Sequence, residues 1–216
     1  MHSERIGSLQ QVDIATLQRL AVKHKARISL AVLPGALIVP SRPLAHVLPD
    51  DAAGELPDAA AIEQAFTIGP LRQFDDDPRF GIVVLAEIAC RALSPAVNDP
   101  GTAIAVLGSL HRLFASFTRP GDPPEPECDR VAVPGLALDE MIDDGFTAIG
   151  RDGAQLVEVA LRVQRVLGEI GEIGASGDAT TSAAAGRHAD LALRRARKAR
   201  DFAPDLEWCI TPNVWC

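Results

Sequence analysis

The chain has 216 residues, 47% hydrophobic, 4% aromatic and 23% charged, with no Tyr and a formal net charge of −8. That apolar content is enough for a buried core, and with so few rings its volume must come mainly from Ala, Val, Leu and Ile, which suits helix-on-helix packing. The acidic balance weighs against a general affinity for phosphate backbones or anionic lipid, both of which need a basic surface, so no nucleic-acid partner is expected.

In chain order, Gly7 to Asp13 alternates and reads as a strand, after which Asp13 offers an N-cap to a helix striped by Ile14, Leu17, Ala21 and Val22. Residues 27–33 alternate with period two and run into the turn signal Pro34-Gly35. A second extended stretch follows, broken by Pro40 and Pro43, and prolines there exclude a central strand and favour an edge or a small barrel. Residues 49–57 form a polar, acidic loop, Asp58 can cap a short helix, and residues 67–74 return as a strand. If that strand pairs with the earlier ones, residues 7–75 form a small α+β unit.

Asp75, Asp76 and Asp77 precede Pro78, a pattern that makes Asp77 an N-cap and puts Pro78 at the first helical position, where its missing N–H costs nothing. Residues 79–93 are apolar almost all round except for Glu87 and Arg91, so this helix is expected to be buried on most sides, with Glu87 paired to Arg91 at the i,i+4 spacing. After the turn SPAVND, Asp99-Pro100 repeats the start signal, and Ile104, Leu107, Leu110 or His111, Phe114 and Phe117 continue an apolar face. Residues 78–117 should therefore form an antiparallel helical hairpin.

Residues 119–127 are a Pro-rich acidic loop, and Val131 to Pro134 reads as a short strand or an extended connection. Leu138, Met141, Ile142, Phe146 and Ile149 mark a third large helix, and Leu156, Val159, Ala160, Val163, Val166, Leu167 and Ile170 a fourth. The glycines of residues 168–177 are expected to end the fourth, and Thr180 to Ser182 to cap a fifth running to about Phe202. The expectation is an α+β protein: a small β-rich unit with one or two helices at 7–75, a mainly helical domain at 76–203 built on the hairpin, and a loose tail at 204–216.

No complete catalytic or metal constellation stands out. The turn between the hairpin helices gathers Ser94, Asn98, Asp99 and Thr102, which could converge with the amides after Pro100 on a small polar ligand. The other reading is that Ser94 and Asn98 satisfy the last carbonyls of one helix while Asp99 caps the next, and caps are the commoner use of such residues. The Asp75 to Asp77 triplet raises the question of a cation, but about 15 helical residues at 1.5 Å each put it roughly 22 Å from Asn98 and Asp99. Asp139/Asp143 and Glu140/Asp144 read as a solvated helix face. Glu87 in apolar surroundings could have a raised pKa, although pairing with Arg91 is the simpler account. His24, His46, His111 and His188 stand singly, and His111 reads as a core-edge side chain. Arg194 to Arg200 is basic but lies where cations favour a helix C-terminus. Cys90, Cys128, Cys209 and Cys216 show no paired spacing, which indicates neither a zinc site nor a disulfide framework and fits a reducing compartment. No metal or cofactor is expected. No run reaches the roughly 20 apolar residues that cross a bilayer, and the start lacks a signal-peptide core.

The combination DDDPRFG and LAEIACRALSPAVNDPGTAIAVLGSL resembles the signature of a bacterial family catalogued as domain of unknown function 2254, predicted membrane proteins. The likeness extends over residues 7–170 and is densest at Ala92, Leu93, Ser94, Pro95, Asn98, Asp99, Pro100, Thr102 and Ala103. The resemblance implies a soluble C-terminal region of a multi-pass membrane protein, or a relative without its anchor, with the cytoplasmic side favoured. It supplies no activity and no catalytic residues. The stretch LPGALIVPSRPLAHV also looks like half of a biotinyl/lipoyl-type barrel-sandwich, but it has no Lys between small apolar residues, and Ser41 stands where Gly is usual, so only shape carries over.

Two functional expectations follow. One is a non-enzymatic module that associates with copies of itself, as a homo-oligomer, or with a membrane-embedded partner. The other is a small-ligand or hydrolytic site with Asp99 as base and Ser94 and Asn98 positioning the ligand.

Overall fold

A computed structural model describes residues 1–51, 54–117, 127–175 and 178–200. The chain divides into two units, Met1–Phe80 with Pro123–Leu136 and Gly81–Asp122 with Ala137–Cys216. The strands lie in the first unit with two shorter helices, and long helices make up the second, so the fold is α+β. The expected tail at 204–216 lies outside the described residues, as does the Pro-rich loop apart from Glu127.

The first unit contains β1 (Gly7–Val12), α1 (Ile14–Lys23), β2 (Ala26–Leu30), β3 (Leu37–Ile38), β4 (Ala45–Pro49), α2 (Ala59–Glu63), β5 (Phe66–Gly69) and β6 (Val131–Ala132). In one sheet β1 lies between β3 and β5, antiparallel to both; in the other β2 lies between antiparallel β4 and parallel β6. The two proline-flanked strands, β3 and β4, sit at edges, where a missing ladder donor is tolerated. Leu9, Ile28, Leu30, Ile38, Phe66 and Ile68 share one core with Leu17 and Ala21 of α1. Both expected caps form: the Asp13 carboxylate accepts the Thr16 amide at 2.8 Å and that of Asp58 the Ala60 amide at 3.3 Å.

Helix α3 (Pro78–Ala92) starts as its sequence indicates, with Asp77 accepting the Phe80 amide at 3.0 Å. The same carboxylate receives Arg72 Nε at 2.7 Å and Arg72 Nη2 at 2.9 Å and is only 2% exposed. Phe80 stacks on Phe74 at 4.6 Å between centroids, and the Arg72 guanidinium lies 5.0 Å from the Phe80 ring centroid. Gly35 has φ +90°, and a Cβ there would run into the Asp77 carboxylate, so both backbone conformation and space call for glycine.

The second unit continues with α4 (Pro100–Phe117), α5 (Leu138–Asp152), α6 (Val157–Ala175) and α7 (Ala179–Ala199). Its core joins Ile82, Ala86 and Ala89 of α3 to Leu107, Leu110 and Phe114 of α4, Ile142, Phe146 and Ile149 of α5, and Val163, Leu167 and Ile170 of α6. The fourth helix, α6, ends at Ala175 within the glycine-rich stretch, and a Cβ on Gly174 would sit 2.9 Å from the Ser182 amide nitrogen, so glycine there lets α7 come close. One expectation about the helix ends needs correction. The fifth helix is capped by Asp178 rather than Thr180 to Ser182; its carboxylate accepts the Thr180 amide at 3.0 Å and the hydroxyls of Thr180 and Thr181. These bonds pull the Asp178 carboxyl down to about 2.

The basic run at the end of α7 is engaged with this unit: Arg194 pairs with Asp190 at 2.5 Å and Arg195 donates to the Thr147 carbonyl at 3.2 Å. Among the described residues no helix is long and apolar enough to cross a membrane.

Candidate functional site

The residues between α3 and α4 build a closed turn. Ser94 Oγ donates to the Arg91 carbonyl at 2.7 Å, and the Ser94 carbonyl accepts the Val97 and Asn98 amides at 3.0 and 2.8 Å. The Asp99 amide reaches back to the Ala92 carbonyl at 2.8 Å, satisfying an orphan acceptor of α3. Asn98 has φ +48°, the left-handed region that Asn tolerates better than most side chains, which accounts for an amide residue beside Ser94.

Asp99 caps α4: one carboxylate oxygen accepts the Thr102 amide at 3.1 Å and the other the Thr102 hydroxyl at 2.6 Å. The Thr102 hydroxyl, with the Thr102 amide, holds the Asp99 carboxyl below its ordinary 3.8. A general base poised for neutral pH needs the opposite shift. Because the folded value is the lower one, the stabilisation is complete above the ordinary value and is lost as pH falls through the folded value. Replacing Asp99 by Ala should lower the thermal midpoint near pH 7 by about 2–4 °C, with the wild type and D99A converging in strong acid. Calorimetry of both proteins over that pH range checks this.

The rest of this face is less settled within the chain. On α3 the stripe Ile82, Ala86 and Ala89, continued by Leu93, is buried in the core. The opposite stripe of Val84, Glu87, Ile88 and Arg91, with Val97, Asp99 and Thr102, borders an open groove of about 520 Å³. Ile88 is 45% and Val97 55% exposed. The helix is thus buried or half-buried along most of its length, as expected, and exposed at Glu87, Ile88 and Arg91. The expected Glu87 to Arg91 pair is also absent: both side chains are exposed, and among the described residues neither makes an ion pair.

Elsewhere, the aspartate triplet does not converge on a cation, since Asp77 turns inward to Arg72 while Asp75 and Asp76 face solvent. His188 of α7, 8% exposed, meets Asp143 of α5 at 2.5 Å, so Asp143 is not merely part of a solvated face. Position hinted at this: His188 continues the small-residue stripe of Thr181, Ala184 and Ala185 on α7, although its partner is 45 residues away. His111 pairs with Glu169 at 3.0 Å. Burial, with Asp152 alongside, pushes the Cys90 thiol up to about 11, leaving it a poor nucleophile.

The model of domain of unknown function 2254, described as a predicted membrane protein, matches residues 1–169. Uncharacterized proteins of Mycobacterium bovis and Mycobacterium tuberculosis are each 32% identical over 122 residues, 54% of this chain and 23% of theirs. The alignment thus spans about a quarter of the length of these relatives. No solved structure matches.

Proposed function

Because the chain belongs to the family of predicted membrane proteins catalogued as domain of unknown function 2254, we propose that it is a non-catalytic contact module of such a protein, docking through the α3–α4 face. The observation that carries this is the contrast along α3: one apolar stripe is buried, while Ile88, between exposed Glu87 and Arg91, stays open in a groove shared with exposed Val97. Ile88 and Val97 are exposed together in this groove, beside Glu87 and Arg91, which gives it an apolar centre edged by charge.

The polar turn supports the same reading. Ser94, Asp99 and Thr102 spend their hydrogen-bonding groups on helix ends, so they serve as the rim of the face, and Asn98 provides the bend. We place the module at the cytoplasmic surface of the membrane, a reading favoured by the free thiols of Cys90 and Cys128.

A photo-crosslinking amino acid tests the reading when placed at Ile88, or at exposed Arg187 of α7 as the control, in cells making the full-length protein. A docking face yields a discrete protein adduct from position 88 and little from 187. Equal, diffuse labelling at both positions would mark α3 as an ordinary solvated surface.

A further inference from the structure

We propose that the occupant of the α3 face is α3 of a second copy of this chain, packed antiparallel about a two-fold axis beside Ile88, with Glu87 of each copy against Arg91 of the other. The proposal rests on reading this face as a contact surface and adds the identity of the partner.

Charge carries the argument. A two-fold interface needs a self-complementary patch, in which residue i meets j and j meets i. Glu87 and Arg91 lie one helical turn apart, flank the exposed Ile88, bear opposite charges and are both exposed. Their spacing suits a pair within the helix, yet they make none. Reversing a second α3 across the axis sets each acid opposite a base.

The balance of this patch matters because the chain carries −8 overall. Two acidic copies repel over most of their surfaces, whereas this stripe presents one positive and one negative side chain around apolar Ile88. Burial of Ile88 and Val84 supplies the attraction, and the charges fix register and orientation.

Sedimentation equilibrium of the purified chain reads the outcome. The wild type should approach twice the 22.9 kDa of one chain as concentration rises. E87R and R91E should each weaken association at least about tenfold, because like charges then face each other. Combining them as E87R/R91E should restore it, and mixing the two single variants should produce a heterodimer that neither forms alone. Both substitutions are at exposed positions, and circular dichroism of each variant confirms folding.

A wild type that stays monomeric, single variants that associate as well as the wild type, or a mixture that stays monomeric would each overturn the proposal. A monomeric wild type together with a discrete adduct to a different protein at position 88 would overturn the second copy while leaving the contact surface standing. Loss of the adduct as well would remove both.

Discussion

Replacing Asp77 by Ala is expected to destabilise the first unit by about 3 kcal/mol, the low end of the cost of breaking a buried ion pair, because Arg72 retains some access to water. Three interactions end on this carboxylate: two from the Arg72 guanidinium and one from the Phe80 amide at the start of α3. Asp77 is 2% exposed and the Arg72 side chain 27%, so removing the acid leaves a half-sheltered cation and an uncapped helix together. Asp77→Asn should cost less, since an amide oxygen can still accept the Phe80 amide. Amide exchange in β1 and β5 reads the effect within this unit: D77A should accelerate exchange of Leu9 and Ile68, whereas unchanged protection would show that Arg72 and Asp77 contribute little.

Phe146→Ala should have a comparable or larger effect on the second unit, about 3–5 kcal/mol, as expected for emptying a buried ring site. Phe146 is 1% exposed and its ring centroid lies 6.0 Å from that of Phe114, itself set edge-on to Phe117. In a core otherwise built from aliphatic side chains, these rings fill volume that no neighbour can reclaim by a small shift. Chemical denaturation with amide exchange in α4 and α5 should place the loss in this unit. A midpoint unchanged from wild type would mean that the site collapses without a cavity.

Much of this architecture is legible locally. Asp13, Asp58, Asp77 with Pro78, and Asp99 with Pro100 each announce a helix start, because capping depends on a side chain and amides only two or three residues away. The prolines around β3 and β4 likewise place those strands at sheet edges. Much of what escaped the sequence depends on packing between elements. Gly174, one residue before the end of α6, also makes room for Ser182 in the next helix. Asp143 is exposed, as its sequence position suggests, but also meets His188 of α7, a partner 45 residues away. The parallel strand β6 finds β2 through a separation of about a hundred residues, with Val131 beside Ile28.

For the candidate site the difference is more informative. The turn residues form a helix end and a helix start, as their pattern indicates, and Asn98 takes a left-handed backbone conformation at the bend. Helix α3 reads as buried on most sides, and it is, apart from the exposed strip of Glu87, Ile88 and Arg91. The exposed Ile88, beside Glu87 and Arg91 that make no ion pair among the described residues, is what motivates the contact surface and gives it a charge pattern to match.

The most direct test of that contact is the ratio of discrete adduct formed from a photo-crosslinker at position 88 to that formed at position 187 in intact cells. A docking face predicts a ratio well above one, with Ile88 shielded by a protein neighbour and Arg187 left in solvent. A ratio near one, with only diffuse labelling at both positions, would contradict it and return α3 to an ordinary exposed helix.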